Sequence, residues 1–438
     1  MVFKSTFDME NINPYWLIIA GSLFIIMSYG YNLISKKTSI PSVLLLITTG
    51  ILIQTLIKLT GNTIPDFNLI LEVLGVIGLI MIVLEASLDL KLSREKKFLI
   101  WKSFGLAILT LALTAGIISV LFMFYLKADF ATSLLYAIPL SIISSAIVIP
   151  STASLDEEKK EFMIYESTFS DILGIMVFYF IIEGANAEST GEFGMHIFMN
   201  LVGTIALSFA ISYLLIFTFQ NIRTELKLFL LIAILILLYS VAKLMHFSSL
   251  LLILVFGMVL QNRSIFFPGK LRNLLKESSL SEISNNFRII TLESAFVVRT
   301  YFFIIFGLSI SLASLVSFRV LFISLLALLI IYGSRYLVFK ILKIRSVLPE
   351  LFLAPRGLIT ILLFYAIPDT MKMEKFDPGI LLFIIIASSV AMALSLVNYK
   401  RRTKLEISFP GLETRGSNSL AEDQVESNNN LEEKKNTD

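Results

Sequence analysis

Residues 161–182 read EFMIYESTFSDILGIMVFYFII, an apolar run long enough to cross a bilayer as a helix, yet it carries Glu166, Ser167, Ser170 and Asp171. Two carboxylates at that depth are expensive. Insertion scales place an ionised aspartate at a helix centre at roughly +2.5 to +3.5 kcal/mol. Acids kept inside a span face a water-filled cavity or a charged partner, so the stretch reads as an ion or proton site. At about 100° per residue, Ser167 and Asp171 share one face, and Glu166 and Ser170 share a neighbouring one. One polar stripe is available for an ion and the other for a buried partner.

Working outward, the whole chain has a membrane composition. Of 438 residues, 56% are hydrophobic and 16% charged, where soluble domains carry about half and about a quarter. Apolar runs near 15–34, 40–58, 67–88, 101–126, 130–154, 162–183, 194–218, 225–245, 248–262, 288–313, 315–339, 349–368 and 379–399 predict an all-α polytopic membrane protein of about thirteen transmembrane helices. Residues 1–14 are expected as an extracytoplasmic segment, 15–399 as the transmembrane domain and 400–438 as a disordered, charged cytoplasmic tail. The N-terminus lacks the basic region and cleavage site of a signal peptide, so the first run is expected to stay as a span. Residues 264–286, SIFFPGKLRNLLKESSLSEISNN, read as a cytoplasmic linker, either an interfacial amphipathic helix or a solvated connector.

Loop charges give an orientation. Lys and Arg cluster after every odd-numbered span, from Lys36 and Lys37 to Lys400, Arg401 and Arg402. The intervening loops, such as EGANAESTGEFG (183–194), are poor in them, with Lys372 and Lys375 the main exceptions. The positive-inside rule then predicts an outside N-terminus and a cytoplasmic C-terminus in a bacterial-type plasma membrane. A net charge of +3 gives no ground for a nucleic-acid partner. With no cysteine, disulfides and thiol chemistry are excluded. His196 and His246 fall near span ends without metal-ligand spacing and read as structural. No cofactor is expected.

Two spans are interrupted. The fifth, YAIPLSIISSAIVIPSTASL (136–155), sets Ser144 and Ser145 between Pro139 and Pro150. The twelfth, LPELFLAPRGLITILLFYAIP (348–368), carries Pro349, Pro355, Arg356 and Gly357. Proline removes a backbone donor, and unwound backbone inside a membrane must be buried in protein or line a cavity. A broken span in each half predicts two inverted repeats with the site at their crossing.

The order SSAIVIPS (144–151), YESTFSD (165–171) and APRGL (354–358) resembles the monovalent cation:proton antiporter superfamily, which includes the sodium/proton exchangers. The resemblance covers roughly 15–400. It implies crossed interrupted helices, a core of spans four to six and eleven to thirteen, and a scaffold that forms a homodimer. It also implies that Asp171 binds either a proton or a monovalent cation, Na+ or Li+ first, as the one metal-ion ligand carrying charge. Ser167, Ser144, Ser145 and carbonyls of the broken fifth span would complete an oxygen shell, which suits hard cations. The electroneutral branch of that family reads E-S-x-x-N-D; here Ser170 replaces the Asn, and its neutrality implies one proton per cation. Ser144-Ser145-Ala146 is closer to the Ser-rich pattern of potassium-efflux relatives, so K+/H+ exchange is the near alternative.

Buried Glu166 needs a counter-ion, with Arg335, Arg356 and Arg299 as candidates. By resemblance Arg335 comes first, while Arg356 offsets helix-dipole ends at the crossing. Glu85, Asp89 and Glu293 are expected as funnel or interface charges. A polytopic membrane enzyme is the alternative from another class, and neither HExxH nor GxSxG occurs. A channel is a third reading.

Overall fold

The computed structural model describes residues 14–38, 40–61, 68–93, 95–152, 155–184, 190–222, 227–245, 249–309, 317–344 and 347–408. The expected N-terminal segment up to residue 13, His246, the His196 side chain and the tail beyond residue 408 lie outside what is described.

Inside hydrocarbon every backbone N–H and C=O must find its partner within protein, and helices do this within one segment. The described residues are accordingly helical. The first half holds α1 (Pro14–Thr38), α2 (Ser42–Leu59), α3 (Asn68–Asp89), α4 (Lys97–Leu126), α5 (Phe130–Ser141), α6 (Ser145–Ser151) and α7 (Glu157–Gly184). The second holds α8 (Thr190–Phe219), α9 (Lys227–Leu244), α10 (Ser249–Gln261), α11 (Arg263–Phe266), α12 (Glu277–Ser309), α13 (Phe318–Ile341), α14 (Leu358–Tyr365) and α15 (Gly379–Ser408). Among the described residues, nine helical units are long and apolar enough to cross a membrane, with α5 and α6 counted as one. Adding α3, α9, α10 and the broken unit ending in α14 gives the expected set of spans.

The helices pack as two bodies. α4, α5, α6 and α7 pack together, and α13, α14 and α15 join them to form a core. α2 and α3 pack on α12, while α10 joins α3 to α8 and α9, forming a scaffold. Within the scaffold, α2 lies backbone to backbone against α12 along a seam. A Cβ on Gly50 would lie 2.2 Å from the Ile304 carbonyl oxygen, and one on Gly307 would lie 2.4 Å from that of Ile47. Only hydrogen fits there, so backbone meets backbone. The Gln54 Nε2 donates to the Leu308 carbonyl at 2.7 Å and closes the same seam.

Two helix ends differ from the sequence expectation. α12 starts at Glu277 instead of 288, absorbing the polar end of the linker. Leu280, Ile283, Ser284, Phe287, Thr291 and Ala295 form its buried stripe, a 3.6-residue period that an average hydropathy blurs. The rest of the linker is docked as short turns. The Gln220 side chain donates to the Leu274 carbonyl at 3.3 Å and accepts from the Lys276 amide at 3.0 Å. At the other end, α15 continues past residue 399 to Ser408.

Candidate ion-binding site

The fifth span breaks as expected. Asp129 caps α5 by accepting from the Thr132 amide at 3.0 Å, and Pro139 lies inside the helix near its end. Ile142 and Ser144 are extended, and α6 then resumes for two turns with Pro150 inside it. The break frees three successive amides, and each finds a partner on another span. Ile143 N–H donates to Ser170 Oγ at 3.0 Å, Ser144 N–H to the Pro355 carbonyl at 3.0 Å, and Ser145 N–H to Asp171 Oδ2 at 3.1 Å. The unwound backbone is thereby satisfied inside protein.

The twelfth span breaks differently. Residues 348–352 form turns rather than a first half-helix, 353–357 are irregular, and only α14 is regular. The two breaks cross at Ser144 and Gly357. A Cβ on Gly357 would lie 2.6 Å from Ile147 Cδ1 and 2.7 Å from Ser144 Oγ, so this closeness requires glycine. Gly174 does the same for α7, where a Cβ would lie 2.2 Å from Ile142 Cγ1.

Arg356 stands at that crossing, 1% exposed. Its guanidinium donates to carbonyls that α5 leaves without helical partners: Nε to Leu140 at 2.7 Å and Nη2 to Ser141 at 3.4 Å. Nη1 donates to the Ala354 carbonyl at 2.6 Å, and the Arg356 amide donates to Ser388 Oγ at 3.0 Å. A cation at a helix C-terminus opposes the negative end of the dipole. Arg356 therefore makes its bonds to backbone, and Glu166 is held by the other arginine.

That arginine is Arg335 on α13. Arg335 and Glu166 are both fully buried. Arg335 Nη1 donates to Glu166 Oε1 and Nη2 donates to Oε2 at 2.8 Å, a fork-on-fork pair. The guanidinium also donates to the Glu350 carbonyl, from Nε at 3.2 Å and from Nη2 at 3.0 Å, and lies 4.9 Å from the Phe339 ring centroid. Arg299, the third candidate, meets Glu85 on α3 at 3.4 Å, and Arg288 meets Asp89 at 2.5 Å. Glu293 is exposed on α12.

Asp171 is 1% exposed, and its surroundings contrast with those of Glu166. Oδ2 has the Ser145 amide, whereas Oδ1 is buried with no hydrogen-bond partner, as is Ser144 Oγ. Ser167, expected in the same shell, turns its hydroxyl back to the Ile164 carbonyl at 3.3 Å. Ser170 has a role its neutrality did not reveal, as the acceptor for the freed Ile143 amide.

A cavity of ≈ 390 Å³ separates the scaffold from α6 and reaches Ser145. Glu85, Asp89, Arg288 and Arg299 line its scaffold wall. Ser35, Pro41 and Ser151 also line it, which puts its mouth at the end of the molecule carrying Lys36 and Lys37. At the opposite end of the core aromatic rings pack together, and Phe364, Tyr365 and Phe376 also line a second cavity of ≈ 880 Å³. Tyr136 lies 4.7 Å from Phe376 and 5.8 Å from Phe364, and its hydroxyl accepts from the Met373 amide at 2.9 Å.

The fold has solved counterparts. The sodium proton antiporter MjNhaP1 from Methanocaldococcus jannaschii, in its structure at pH 8, superposes with a TM-score of 0.66 at 20% identity, covering 88% of this chain and 99% of that one. An electron-microscopy map of the same antiporter gives a TM-score of 0.64 at 18% identity, covering 92% and 97%. Among curated proteins, none matches by sequence. The family model for the transmembrane sodium/hydrogen exchanger matches residues 22–411, a range that holds both breaks, Asp171 and the Glu166–Arg335 pair, and this chain belongs to the sodium/hydrogen exchanger family.

Proposed function

We propose that this protein is a secondary antiporter exchanging protons for a monovalent cation, Na+ or Li+, at Asp171. The observation that carries the reading is the unequal state of the two buried carboxylates on α7. Glu166 is matched by an arginine on both oxygens, while Asp171 Oδ1 is buried and bare beside a broken helix. An oxygen in that state is stabilised by taking up either a proton or a cation, and one group serving both couples the two fluxes without a further device. The Ser144 hydroxyl, equally without a partner, and carbonyls of the break offer further oxygens of the kind hard cations prefer.

Exchange is one for one and electroneutral in this reading, because Ser170 adds no second titrating group beside Asp171. Moving a net charge across the membrane costs about 2.3 kcal/mol per 100 mV, and a neutral exchange avoids that cost. The division into core and scaffold supports an elevator motion in which the core carries Asp171 past the scaffold. The cavity at the Lys/Arg-rich end reaches Ser145, whose amide donates to Asp171, and so supports an inward-facing state with those loops cytoplasmic. The exposed apolar side chains of α1, among them Trp16, Ile19, Leu23 and Ile26, leave a face suited to lipid or to a second copy in a homodimer.

The test uses proteoliposomes with an imposed pH gradient and added Na+, Li+ or K+. Proton movement driven by Na+ or Li+, insensitive to a clamped potential and lost in Asp171→Asn, is the expected result. A response to K+ alone selects the potassium reading suggested by Ser144 and Ser145. Unaltered exchange in Asp171→Asn removes Asp171 from the site. The family is one of transporters and lends the membrane-enzyme alternative no support.

A further inference from the structure

At the end of the core that carries the Lys/Arg-rich loops, a chain of contacts runs from the surface to the buried Glu166. Lys159 stands two helical turns before Glu166 on α7, so both side chains lie on one face. Its Nζ is 3.5 Å from Glu350 Oε1 and 4.9 Å from the centroid of the Tyr399 ring on α15. The Tyr399 hydroxyl donates to Asp156 Oδ2 at 2.8 Å, just before α7 begins. The Glu350 carboxylate is 5% exposed, and the carbonyl of the same residue receives two donors of Arg335. Glu166 with Arg335 and Glu350 with Lys159 thus make a quartet of two ion pairs joined through the Glu350 carbonyl.

The turn that holds Glu350 has little regular structure of its own, since residues 348–352 are turns and 353–357 irregular. That turn is closed by single backbone bonds, from the Leu351 amide to the Val347 carbonyl at 2.8 Å, Phe352 to Pro349 at 3.1 Å and Leu353 to Glu350 at 3.2 Å. The Lys159–Glu350 ion pair adds a side-chain anchor to it. We propose that Lys159 is a positioning residue for exchange: through Glu350 it fixes the carbonyl that aims Arg335 at Glu166, and so sets the register of α7 that presents Asp171 to the Ser145 amide. This rests on the reading of Asp171 as the ion site.

The consequence is specific. Loosening the quartet lets α7 slip against the break, which weakens the grip on the cation, whereas a purely structural lysine would only lower the amount of folded protein. Lys159→Met is expected to raise the half-saturating Na+ concentration about three- to ten-fold, with the maximal rate per folded protein little changed. Lys159→Arg, which keeps the charge and the reach, restores it. Glu350→Gln gives a similar rise, and the double variant is no worse than the worse single, as expected for partners in one network. Tyr399→Leu, which removes only the ring beside Lys159, gives a smaller rise and serves if Lys159→Met does not fold. An unchanged half-saturation in these variants, additive effects in the double variant, or failure of Lys159→Arg to rescue overturns the proposal. Asp171→Asn in the same vesicles separates the two ideas. Exchange that survives there removes the ion site itself, while its loss beside normal half-saturation in Lys159→Met and Tyr399→Leu removes the role of Lys159 alone.

Discussion

Glu166 and Asp171 lie five residues apart on one helix, both buried to within 1% exposure, in opposite surroundings. Around Glu166 both carboxylate oxygens accept from the Arg335 guanidinium, a fork on a fork. Around Asp171 the protein supplies Ser145 on one oxygen and leaves the other over. Burial alone does not distinguish a structural acid from a functional one. What separates them is whether the fold completes the group or leaves it for something that comes and goes.

The strongest way to break that comparison is to neutralise the incomplete acid. Asp171→Asn is expected to abolish cation-driven proton movement in proteoliposomes while leaving the detergent melting temperature near that of the wild type, since no protein counter-charge is lost. Neutralising the complete acid is expected to act on stability first. Glu166→Gln strands Arg335 in the core, and breaking such a pair costs about 3–5 kcal/mol. Combining it with Arg335→Met removes the stranded charge and recovers a good part of the loss, which thermal melting of both variants tests.

Smaller effects are expected from the backbone around the break. Gly357→Ala puts a methyl group against Ile147 and Ser144, an overpacking cost of about 1–3 kcal/mol, with exchange falling as the crossing is pushed apart. Ser170→Ala leaves the Ile143 amide unsatisfied, also costing about 1–3 kcal/mol, and Ser170→Asn keeps an acceptor and much of the stability. The smallest is Asp129→Ala at the α5 cap, about 1 kcal/mol with unaltered exchange. A large transport defect from that change would show that the far end of α5 is coupled to the break.

The parts of this site that the sequence made legible are those where a residue type is costly in lipid. Acids in mid-span and prolines inside apolar runs stand out against hydrocarbon, and they located α7 and both breaks; Arg335 was put first among three arginines only by the family resemblance. What stayed hidden depends on tertiary placement. Ser170 was legible as an uncharged residue but not as an acceptor, because the amide it serves is freed 27 positions earlier by a break in another span. Lys159 read as one more loop charge and Glu350, at the start of the twelfth span, went unremarked, since nothing local marks a glutamate whose carbonyl matters as much as its carboxylate. Arg299 and Arg356 were weighed as partners for Glu166; long-range geometry assigned Arg299 to Glu85, and gave Arg356, which the resemblance had set against helix-dipole ends, the α5 carbonyls as its partners. The absent first half-helix of the twelfth span was equally invisible, because LPELFLAP is apolar enough to pass for one.

The glycine seam between α2 and α12 has a mechanical meaning. Where side chains separate two helices, rotamer changes let one slide over the other; where carbonyl oxygens sit against α-carbons, any displacement is a collision. Those two helices behave as a welded plate, and sliding during a transport cycle has to be taken up along some other boundary. The cavity beside α6 marks a boundary with room for it.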